Sequence, residues 1–302
     1  MRIVIAGGTG FVGKALSDFF LNNGDEVLIL TRQLPSPSHS TNVKYVQWLT
    51  PNSNPAALLE GADVFINLAG ESINSGRWNN KRKARILKSR LDATSELLQI
   101  MRNLNTKPKS FINASAIGYY GTSESATFTE ESQSVGHDFL AETVKQWEAL
   151  ALNANTLGIR TVLCRFGIVL AKNDGALPKM ALPYYLFAGG KLGKGNQWVS
   201  WIHIKDVIRA ITFVIQNEAI QGPINFISPH PVTMNQFGKE LSKTLHRPHW
   251  IPNPEIAIKL LLGEMSMLML EGQKVLPQTL MKHDFIFQYP NLEKALNDIF
   301  QN

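Results

Sequence analysis

The sequence predicts an α/β protein, a Rossmann-type doubly wound parallel sheet with a smaller, mainly helical C-terminal lobe. Three observations predict this class. Apolar, β-branched runs alternate with helical patterns through the first half of the chain, which is typical of a parallel sheet covered on both faces. The first of these runs leads directly into a glycine-rich turn. From Met234 onward the pattern is mostly helical, with proline breaks.

The elements follow in regular order along the chain. Strands are predicted at residues 3–5, 27–30, 43–46, 64–68, 110–114, 161–166 and 224–227. Helices are predicted at residues 11–21, 81–102, 137–155 and 206–216. Between the sixth and seventh strands the pattern loosens, and Leu177-Pro178 and the glycine-rich residues 189–195 indicate loops or a hairpin. Ligands of such a sheet are expected at the carboxyl ends of its strands, where the strand order reverses.

Composition is that of an ordinary globular protein. The 302 residues are 44% hydrophobic and 18% charged. No apolar run approaches the ~18 residues that span a bilayer. Because strand-like sequence begins at Met1, no signal peptide is expected. A cytoplasmic protein without membrane contact is therefore expected. The single cysteine, Cys164, lies in an apolar run and is expected to be a buried structural thiol.

The chain is basic, with a net charge of +6, and much of the excess lies in residues 77–90. Three interpretations of this stretch remain open: the solvated face of a helix, a set of phosphate-facing cations, or a nucleic-acid contact. No helix-turn-helix, zinc or RNA-binding motif accompanies it, so no nucleic-acid partner is expected. No His, Cys and carboxylate cluster has metal-ligand spacing, so no metal is expected either.

The glycine-rich turn satisfies two frames, Gly8-x-Gly10-x-x-Gly13 and Gly7-x-x-Gly10-x-x-Gly13. It follows an apolar strand and opens an amphipathic helix, which is the context that a dinucleotide-binding loop requires. Glycines let the backbone approach a pyrophosphate, and the N–H groups at the start of the next helix point at that anion. The loop therefore predicts a bound dinucleotide.

The end of the second strand indicates which dinucleotide is bound. An NAD site places Asp or Glu there, about 20 residues past the loop, on the ribose 2′-hydroxyl. This chain has Thr31 and Arg32 instead. Thr31 does not repel a 2′-phosphate, and Arg32 can pair with one through its planar guanidinium. NADP(H) is the expected cofactor, and the alternative is that Arg32 is only a surface residue after a strand.

Wider motifs resemble the extended short-chain dehydrogenase/reductase family, and more narrowly its atypical, nucleoside-diphosphate-sugar epimerase-like branch. The resemblance covers essentially the whole chain and favours the Gly7-x-x-Gly10-x-x-Gly13 frame. The tail resembles the C-terminal domain of uncharacterised function found in that branch. The matching stretches are NLAGESI (67–73), GRW (76–78), ASAIGYYG (114–121), WVSWIH (198–203), LGEM (262–265) and GQKVLP (272–277).

The resemblance implies a set of cofactor-binding positions. Residues 9–13 would hold the pyrophosphate, residues 68–70 would line the adenosine half, and Arg90 stands where many members carry an Asn behind the cofactor. Ser115 and Arg165 lie at the ends of the fifth and sixth strands. The cofactor residues predicted in this way are Gly7, Thr9, Gly10, Phe11, Val12, Gly13, Thr31, Arg32, Leu68, Ala69, Gly70, Arg90 and Arg165.

The catalytic half of the family pattern is altered. The family uses a Tyr with a Lys four residues later, so that the ammonium lowers the pKa of the phenol. None of the six tyrosines here is followed by Lys at that spacing. Aligning Glu148 with the family's downstream Glu places Leu140 and Val144 in the two positions. In an ungapped match, Ala116 falls where the catalytic Ser or Thr usually lies.

Substitutes for the missing pair are therefore sought among neighbouring residues. The predicted catalytic residues are Ser115, Tyr119 and Tyr120, with Glu142 and Lys145 as weaker candidates. Tyr119 and Tyr120 are alternatively loop aromatics that cover the nicotinamide site. His203 is expected to bond the backbone rather than act as a base. Trp198 and Trp201, together with the glycine-rich loop before them, are expected to wall a substrate cavity.

The sequence as a whole predicts an NADP(H)-binding, short-chain dehydrogenase- or epimerase-like oxidoreductase that transfers hydride to or from a small or nucleotide-sugar-like substrate. The alternative is a cofactor-binding sensor or assembly protein without turnover. Residues 1–170, with 201–228 returning to them, are expected to form the NADP-binding core. Residues 171–200 and 229–302 are expected to form the substrate-binding lobe. A homodimer is left open, and the substrate is not identified.

Overall fold

The computed structural model describes residues 1–34, 43–51 and 53–301. Its centre is a seven-stranded sheet in the order β3-β2-β1-β4-β5-β7-β11, in which every pairing is parallel. The sheet strands are β1 (Arg2–Ala6), β2 (Glu26–Thr31), β3 (Val43–Gln47), β4 (Val64–Asn67), β5 (Ser110–Ala116), β7 (Arg160–Phe166) and β11 (Gly222–Phe226). The order reverses between β1 and β4, as in a doubly wound fold. The predicted fold class is confirmed.

Helices cover both faces of this sheet and build the C-terminal region. They are α1 (Phe11–Asn22), α2 (Ala56–Leu59), α3 (Asn80–Asn103), α4 (Phe139–Ala151), α5 (Leu177–Tyr185), α6 (Ile204–Gln216), α7 (Met234–Leu245), α8 (Glu255–Leu262), α9 (Met267–Leu270), α10 (Gln278–Lys282) and α11 (Leu292–Gln301). Short strands pair outside the main sheet, in the pairs β8 (Ile168–Leu170) with β10 (Trp201–His203), β9 (Trp198–Val199) with β12 (Val232–Thr233), and β6 (Thr127–Phe128) with β13 (Lys274–Val275).

Successive side chains of the buried strands point into different cores, which explains why the strand sequences are continuously apolar. Ile3 and Ile5 point into a core under α1 and α6, whereas Val4 and Ala6 point into a second core under α2 and α3. Successive side chains of a strand face opposite sides, so a strand covered on both sides needs apolar residues at every position. A third core joins α5, α7 and α11, with Trp201 fully buried in it.

Two sequence predictions differ from the structure near the C-terminal region. Leu177-Pro178, predicted as a loop, begins helix α5. Proline is tolerated there because the first-turn N–H groups of a helix have no intrahelical partner. Trp201, predicted to wall the substrate cavity, lies in the third core, and its indole Nε1 donates to the His230 carbonyl at 3.2 Å. A large aromatic side chain can line a cavity or fill a core, and Trp201 packs in the core against α7 and α11.

His203 directly precedes helix α6 and has the structural role predicted for it. Its Nδ1 accepts a hydrogen bond from the Lys205 amide at 3.1 Å, which caps the helix. Its ring stacks on Tyr289, with the ring centres 4.0 Å apart, and its Nε2 lies 3.4 Å from Asp298. Burial lowers the pKa of His203 from its ordinary 6.5 to about 4; the Asp298 carboxylate opposes this shift and Lys205 reinforces it. The neutral ring is therefore the form that the fold accommodates.

Replacing His203 by Asn is expected to flatten the acid dependence of stability. Because the folded-state pKa is depressed, the folded protein binds fewer protons than the unfolded chain between pH 6.5 and about 4. Native stability therefore falls as pH decreases through that window, by up to about 3 kcal/mol from this residue. Asn keeps the helix cap and does not titrate. Urea unfolding at several pH values should show a shallower decline for H203N, and parallel curves for the two proteins would contradict this assignment.

In the described part of the chain, no helix is both long and apolar enough to cross a membrane. The thiol of Cys164 is buried in β7, and burial raises its pKa, in keeping with the predicted structural role.

Candidate functional site

The glycine loop between β1 and α1 is built for close backbone contact. Gly7 has a φ of +80°, and a Cβ there would lie 2.8 Å from the carbonyl carbon of Leu68. A Cβ on Gly13 would lie 2.1 Å from the Gly7 carbonyl oxygen. Gly7, Gly10 and Gly13 all line the neighbouring cavity, whereas Gly8 faces the Ile29 side chain. The geometry therefore supports the Gly7-x-x-Gly10-x-x-Gly13 frame.

The cavity has a volume of about 640 Å³ and follows the carboxyl edge of the sheet. It starts at the glycine loop and the first turn of α1, which has no side-chain cap and no acidic residue. It then passes residues 68–70 after β4 and Ser115 at the end of β5. At its far end it reaches Trp198 and residues 267–273 of the C-terminal region. The cavity thus joins the predicted cofactor loop to the C-terminal region.

Arg90 lies against the cavity wall beneath Gly70. A Cβ on Gly70 would lie 3.3 Å from Arg90 Cζ, and the guanidinium donates to the Glu71 and Ile86 carbonyls at 3.1 and 2.9 Å. It also lies over the Trp147 ring, 5.2 Å from its centre. Burial lowers the pKa of Arg90 to about 10, and Glu71 opposes that shift. The side chain stays a cation at neutral pH and braces the loop that contributes residues 68–70.

The basic stretch at residues 77–90 is divided between solvent and internal contacts: Lys81, Arg85 and Lys88 lie on an exposed face of α3, and other cations bond neighbouring segments. Arg77 donates to the last carbonyls of α8, including Leu261 at 2.7 Å. Arg82 is buried and bonds Glu71 together with Ser72 and Ser75. Lys83 pairs with Glu264 beside the segment that lines the far end of the cavity. These contacts hold residues 71–75 and 260–264 in place, which neither the solvated-face nor the phosphate-facing interpretation anticipated.

The helix that should carry the catalytic pair presents apolar side chains to the cavity. Leu140 and Val144, the residues in the Tyr and Lys positions, both line it. The start of this helix, α4, is capped by Asp138, whose Oδ1 accepts from the amides of Leu140 and Ala141 at 2.7 and 3.1 Å. No phenol or ammonium therefore faces the cavity from those two positions.

Behind the cavity wall runs a buried polar network. Ser115 Oγ donates to Glu148 Oε1, and the Arg165 guanidinium donates to both carboxylate oxygens of Glu148 at 2.8 Å. Arg165 also donates to the Tyr120 hydroxyl at 2.9 Å, and that hydroxyl donates to Asn225 Oδ1 at 2.8 Å. Burial alone would lower the pKa of Arg165, but the Glu148 carboxylate raises it above its usual value. The network fixes Ser115 with its O–H turned away from the cavity.

Tyr120 belongs to this network rather than to the cavity wall. Its side chain is buried, and burial raises the pKa of its phenol, an effect that Arg165 only partly offsets. A phenol that shuttles protons near neutrality needs the opposite shift. Tyr119 lies beside it, with Arg165 Cζ 3.6 Å from the centre of its ring. Tyr119 and Tyr120 therefore pack against Arg165 near the end of β7 and do not face the cavity.

The predicted site residues fall into two groups. The structure brings the first group together along the cavity: Gly7, Gly10, Phe11, Val12, Gly13, Leu68, Ala69, Gly70, Arg90 and Ser115. The second group does not line it: Thr9, Thr31, Arg32, Tyr119, Tyr120 and Arg165. Thr31 is the last residue of β2, and Arg32 follows it. Because β2 pairs with β1, both residues lie beside the glycine loop, and Arg32 is exposed. Arg165 is held by Glu148 and Tyr120, so its guanidinium is not free to hold a phosphate.

Several cavity residues escaped the sequence analysis. Asp138, Thr143, Met267, Leu268, Glu271 and Gln273 line the cavity. The last four follow α8 in the tail, and only the folded chain brings them to the sheet edge. A capping pattern before α4 was the one signal that could have marked Asp138. Among the residues that the structure describes, no group of His, Cys, Asp and Glu side chains could hold a metal ion.

Comparisons with known proteins identify the family of the chain. A model of the NAD dependent epimerase/dehydratase family matches residues 3–226, and a domain of unknown function (DUF1731) matches residues 253–299. The chain is 45% identical over 299 residues to epimerase family protein YfhF of Bacillus subtilis (strain 168), covering 99% of this chain and 98% of that protein. The resemblance stated from the sequence is thereby confirmed.

Two solved structures are similar in fold and sequence. The human epimerase family protein SDR39U1 (isoform 2), solved with NADPH, has a TM-score of 0.90 and 32% identity, with full coverage of both chains. A nucleoside-diphosphate sugar epimerase from Corynebacterium glutamicum has a TM-score of 0.80 and 31% identity, covering 99% of this chain and 58% of that one.

Proposed function

The chain belongs to the NAD dependent epimerase/dehydratase family, and from that membership we propose that it binds NADP(H) and acts on a small-molecule substrate by hydride transfer. The observation that carries the proposal is the glycine loop, which opens onto a cavity of about 640 Å³ that runs along the carboxyl edge of the sheet. The human relative solved with NADPH supports the choice of cofactor.

The residues present fit a dinucleotide. A Cβ at Gly7 or Gly13 would clash with backbone, so these positions keep the loop tight against the start of α1. The free N–H groups of the first turn of α1 then face the cavity, where they would hold the pyrophosphate. Leu68 and Ala69 would contact the adenosine half, and Arg32 at the end of β2 would pair with the 2′-phosphate.

Replacing Arg32 by Ala is expected to weaken NADPH binding selectively. The change removes a charge-assisted hydrogen bond to the 2′-phosphate, which is worth roughly 1–3 kcal/mol. NADH, which lacks that phosphate, should bind equally well to both proteins. Calorimetric titration with the two cofactors measures the difference, with R102A, an exposed arginine on α3, as the control. Equal losses for NADPH and NADH would exclude a 2′-phosphate contact.

The bound nicotinamide would supply the hydride acceptor or donor. Ser115 is the side chain that we place beside the reacting oxygen, and its Oγ–H donates to Glu148. Because the proton of Ser115 points at the carboxylate, the oxygen lone pairs remain for a donor in the cavity, such as a substrate hydroxyl. Leu140, Val144 and Ile168 contribute apolar side chains to the lining of the same cavity. We propose Ser115 as the group that orients the reacting oxygen.

A second candidate function is a cofactor-binding sensor or assembly protein without turnover. The observation that favours it is the apolar pair Leu140 and Val144, which occupies the Tyr and Lys positions on α4. Without a perturbed phenol the proton-transfer step loses a contribution of about 10²- to 10⁴-fold. The glycine loop, which would hold the pyrophosphate, contains no residue of α4, so the cofactor could still bind.

Single-turnover reduction of bound NADP⁺ distinguishes the two functions. The protein is loaded with NADP⁺, mixed with a panel of alcohols and nucleotide sugars whose hydroxyl groups can donate to Ser115, and followed at the nicotinamide absorbance. Hydride transfer that S115A slows and Y119F leaves unchanged would support the enzyme with Ser115 in its proposed role. NADP⁺ binding without reduction by any member of the panel would support the sensor.

A further inference from the structure

The far end of the cavity, beyond Ser115, has a chemistry of its own. We define this substrate end by its apolar lining, which consists of Ile117, Leu140, Ile168, Trp198, Met267 and Leu268. Two carboxylates, Asp138 and Glu271, also line it. An apolar wall with a few polar groups is typical of a site for a small organic molecule. The negative charge of these two carboxylates restricts which molecules the substrate end can bind.

Asp138 blocks the helix end that could otherwise hold an anion. Helix N-termini bind phosphates through their free N–H groups. At the start of α4, however, the Asp138 carboxylate already accepts from the Leu140 and Ala141 amides at 2.7 and 3.1 Å. The helix therefore presents a negative group to the cavity where a nucleotide-binding helix presents donors.

Glu271 adds a second negative charge to the lining. Its Oε2 accepts a hydrogen bond from Thr122 Oγ1 at 2.9 Å, which joins the loop after β5 to the C-terminal region. Both residues are exposed, so this carboxylate is accessible from solvent. A third lining carboxylate, Glu71, is paired with Arg82 and Arg85 and lies toward the cofactor half.

The lining of the cavity contains few cations to balance these carboxylates. Among the described lining residues, Arg90 is the Lys or Arg present, and its guanidinium is bound beneath Gly70 in the cofactor half. Two lysines lie nearby without lining the cavity: Lys274 lies on the Trp198 ring, 4.9 Å from its centre, and Lys259, which interacts with Glu271, is paired with Glu255. A diphosphate is normally bound by Arg, Lys or free helix amides. Among the described residues that line the substrate end there is no Arg or Lys, and the start of α4 is already capped.

We infer that the substrate end takes an uncharged alcohol or carbonyl compound with an apolar body and selects against anions, nucleoside diphosphate sugars included. The inference rests on the proposed function in one respect, namely that the other half of the cavity holds the cofactor. It departs from the sequence expectation of a nucleotide-sugar-like substrate. Repulsion from one carboxylate about 6 Å away, at an effective dielectric constant of about 40, weakens binding of a monoanion about tenfold.

A matched pair of probes tests the inference. Methyl 4-formylbenzoate and 4-formylbenzoate differ in a single negative charge, and UDP-glucose provides the diphosphate. All three are titrated by ligand-observed saturation-transfer NMR against the protein loaded with NADP⁺, which keeps the aldehydes unreduced. The ester should bind at least about tenfold more tightly than the carboxylate, and UDP-glucose should not bind at this end.

Charge removal supplies the control. The double variant D138N/E271Q keeps the helix cap and the Thr122 hydrogen bond but removes both charges. It should gain about tenfold or more for the carboxylate and leave the ester unchanged, whereas D92N, on the exposed face of α3, should change neither. The inference is overturned if the carboxylate or UDP-glucose binds the wild-type protein as tightly as the ester, if the double variant gains nothing, or if the ester does not bind.

Failure of the proposed function would be visible separately. If NADP⁺ does not bind, the cofactor assignment fails, and the ratio of ester to carboxylate affinity in the cofactor-free protein still decides the inference. If NADP⁺ binds and the carboxylate is preferred, only the inference fails.

Discussion

Replacing Gly13 by Ala is expected to abolish NADPH binding and to destabilise the protein. The new Cβ would lie 2.1 Å from the Gly7 carbonyl oxygen and 2.8 Å from the Gly8 Cα, and both atoms belong to the backbone. No side-chain rotation can relieve such a contact, so the loop must move away from the start of α1. Overpacking of this kind typically costs about 1–3 kcal/mol. Urea unfolding and NADPH titration measure the two effects.

A glycine elsewhere on the same cavity provides the control. A Cβ on Gly118 meets only Leu140 Cβ, at 3.5 Å, which is an ordinary contact. G118A should therefore fold with wild-type stability and bind NADPH. If G13A bound NADPH as tightly as the wild type, the loop would not be the cofactor cradle.

Replacing Glu148 by Gln is expected to give the largest loss of stability among conservative substitutions at the site. The Glu148 and Arg165 side chains are 7% and 4% exposed, so the change leaves a guanidinium charge buried without its counterion. Removing one partner of a buried pair costs about 3–5 kcal/mol. The same change also loosens Ser115 and Tyr120, which bond this pair. Urea unfolding measures the loss.

The double variant E148L/R165M separates the ion pair from the fold. Replacing both charges by apolar residues of similar volume is often nearly neutral. We expect the double variant to recover most of the stability lost in E148Q, while hydride transfer, where present, stays impaired because Ser115 loses its partner. A loss in the double variant equal to the sum of the two single losses would show that the two groups do not act as a pair.

Local pattern was enough to predict the sheet and the cofactor loop. Continuous apolar strands can only be covered on both faces, and a glycine-rich turn between a strand and a helix has few other uses. Ser115 was placed at the site because parallel strands end at the same edge, whereas Gly70 and Arg90 were implied by the family resemblance. The sheet and the loop depend on residues that are close together in the sequence, or that occupy the same position at the ends of successive strands.

Long-range contacts account for what the sequence did not reveal. Arg165 and Tyr120 were assigned to ligand-facing roles, but each is held by a partner far along the chain, Glu148 and Asn225 respectively. The direction in which a side chain points at a strand end depends on such partners. The tail residues of the substrate end, such as Met267 and Glu271, were missed for the same reason: nothing local in a helical tail marks the residues that return to the sheet edge.

The central claim is that this chain keeps the cofactor half of its family and prefers NADP(H). The most direct measurement is calorimetric titration of the wild-type protein with NADPH and with NADH under the same conditions. We expect one NADPH to bind per chain, at least about tenfold more tightly than NADH, which corresponds to one charged contact to the 2′-phosphate. NADH binding as tightly as NADPH, or no binding of either cofactor, would contradict it.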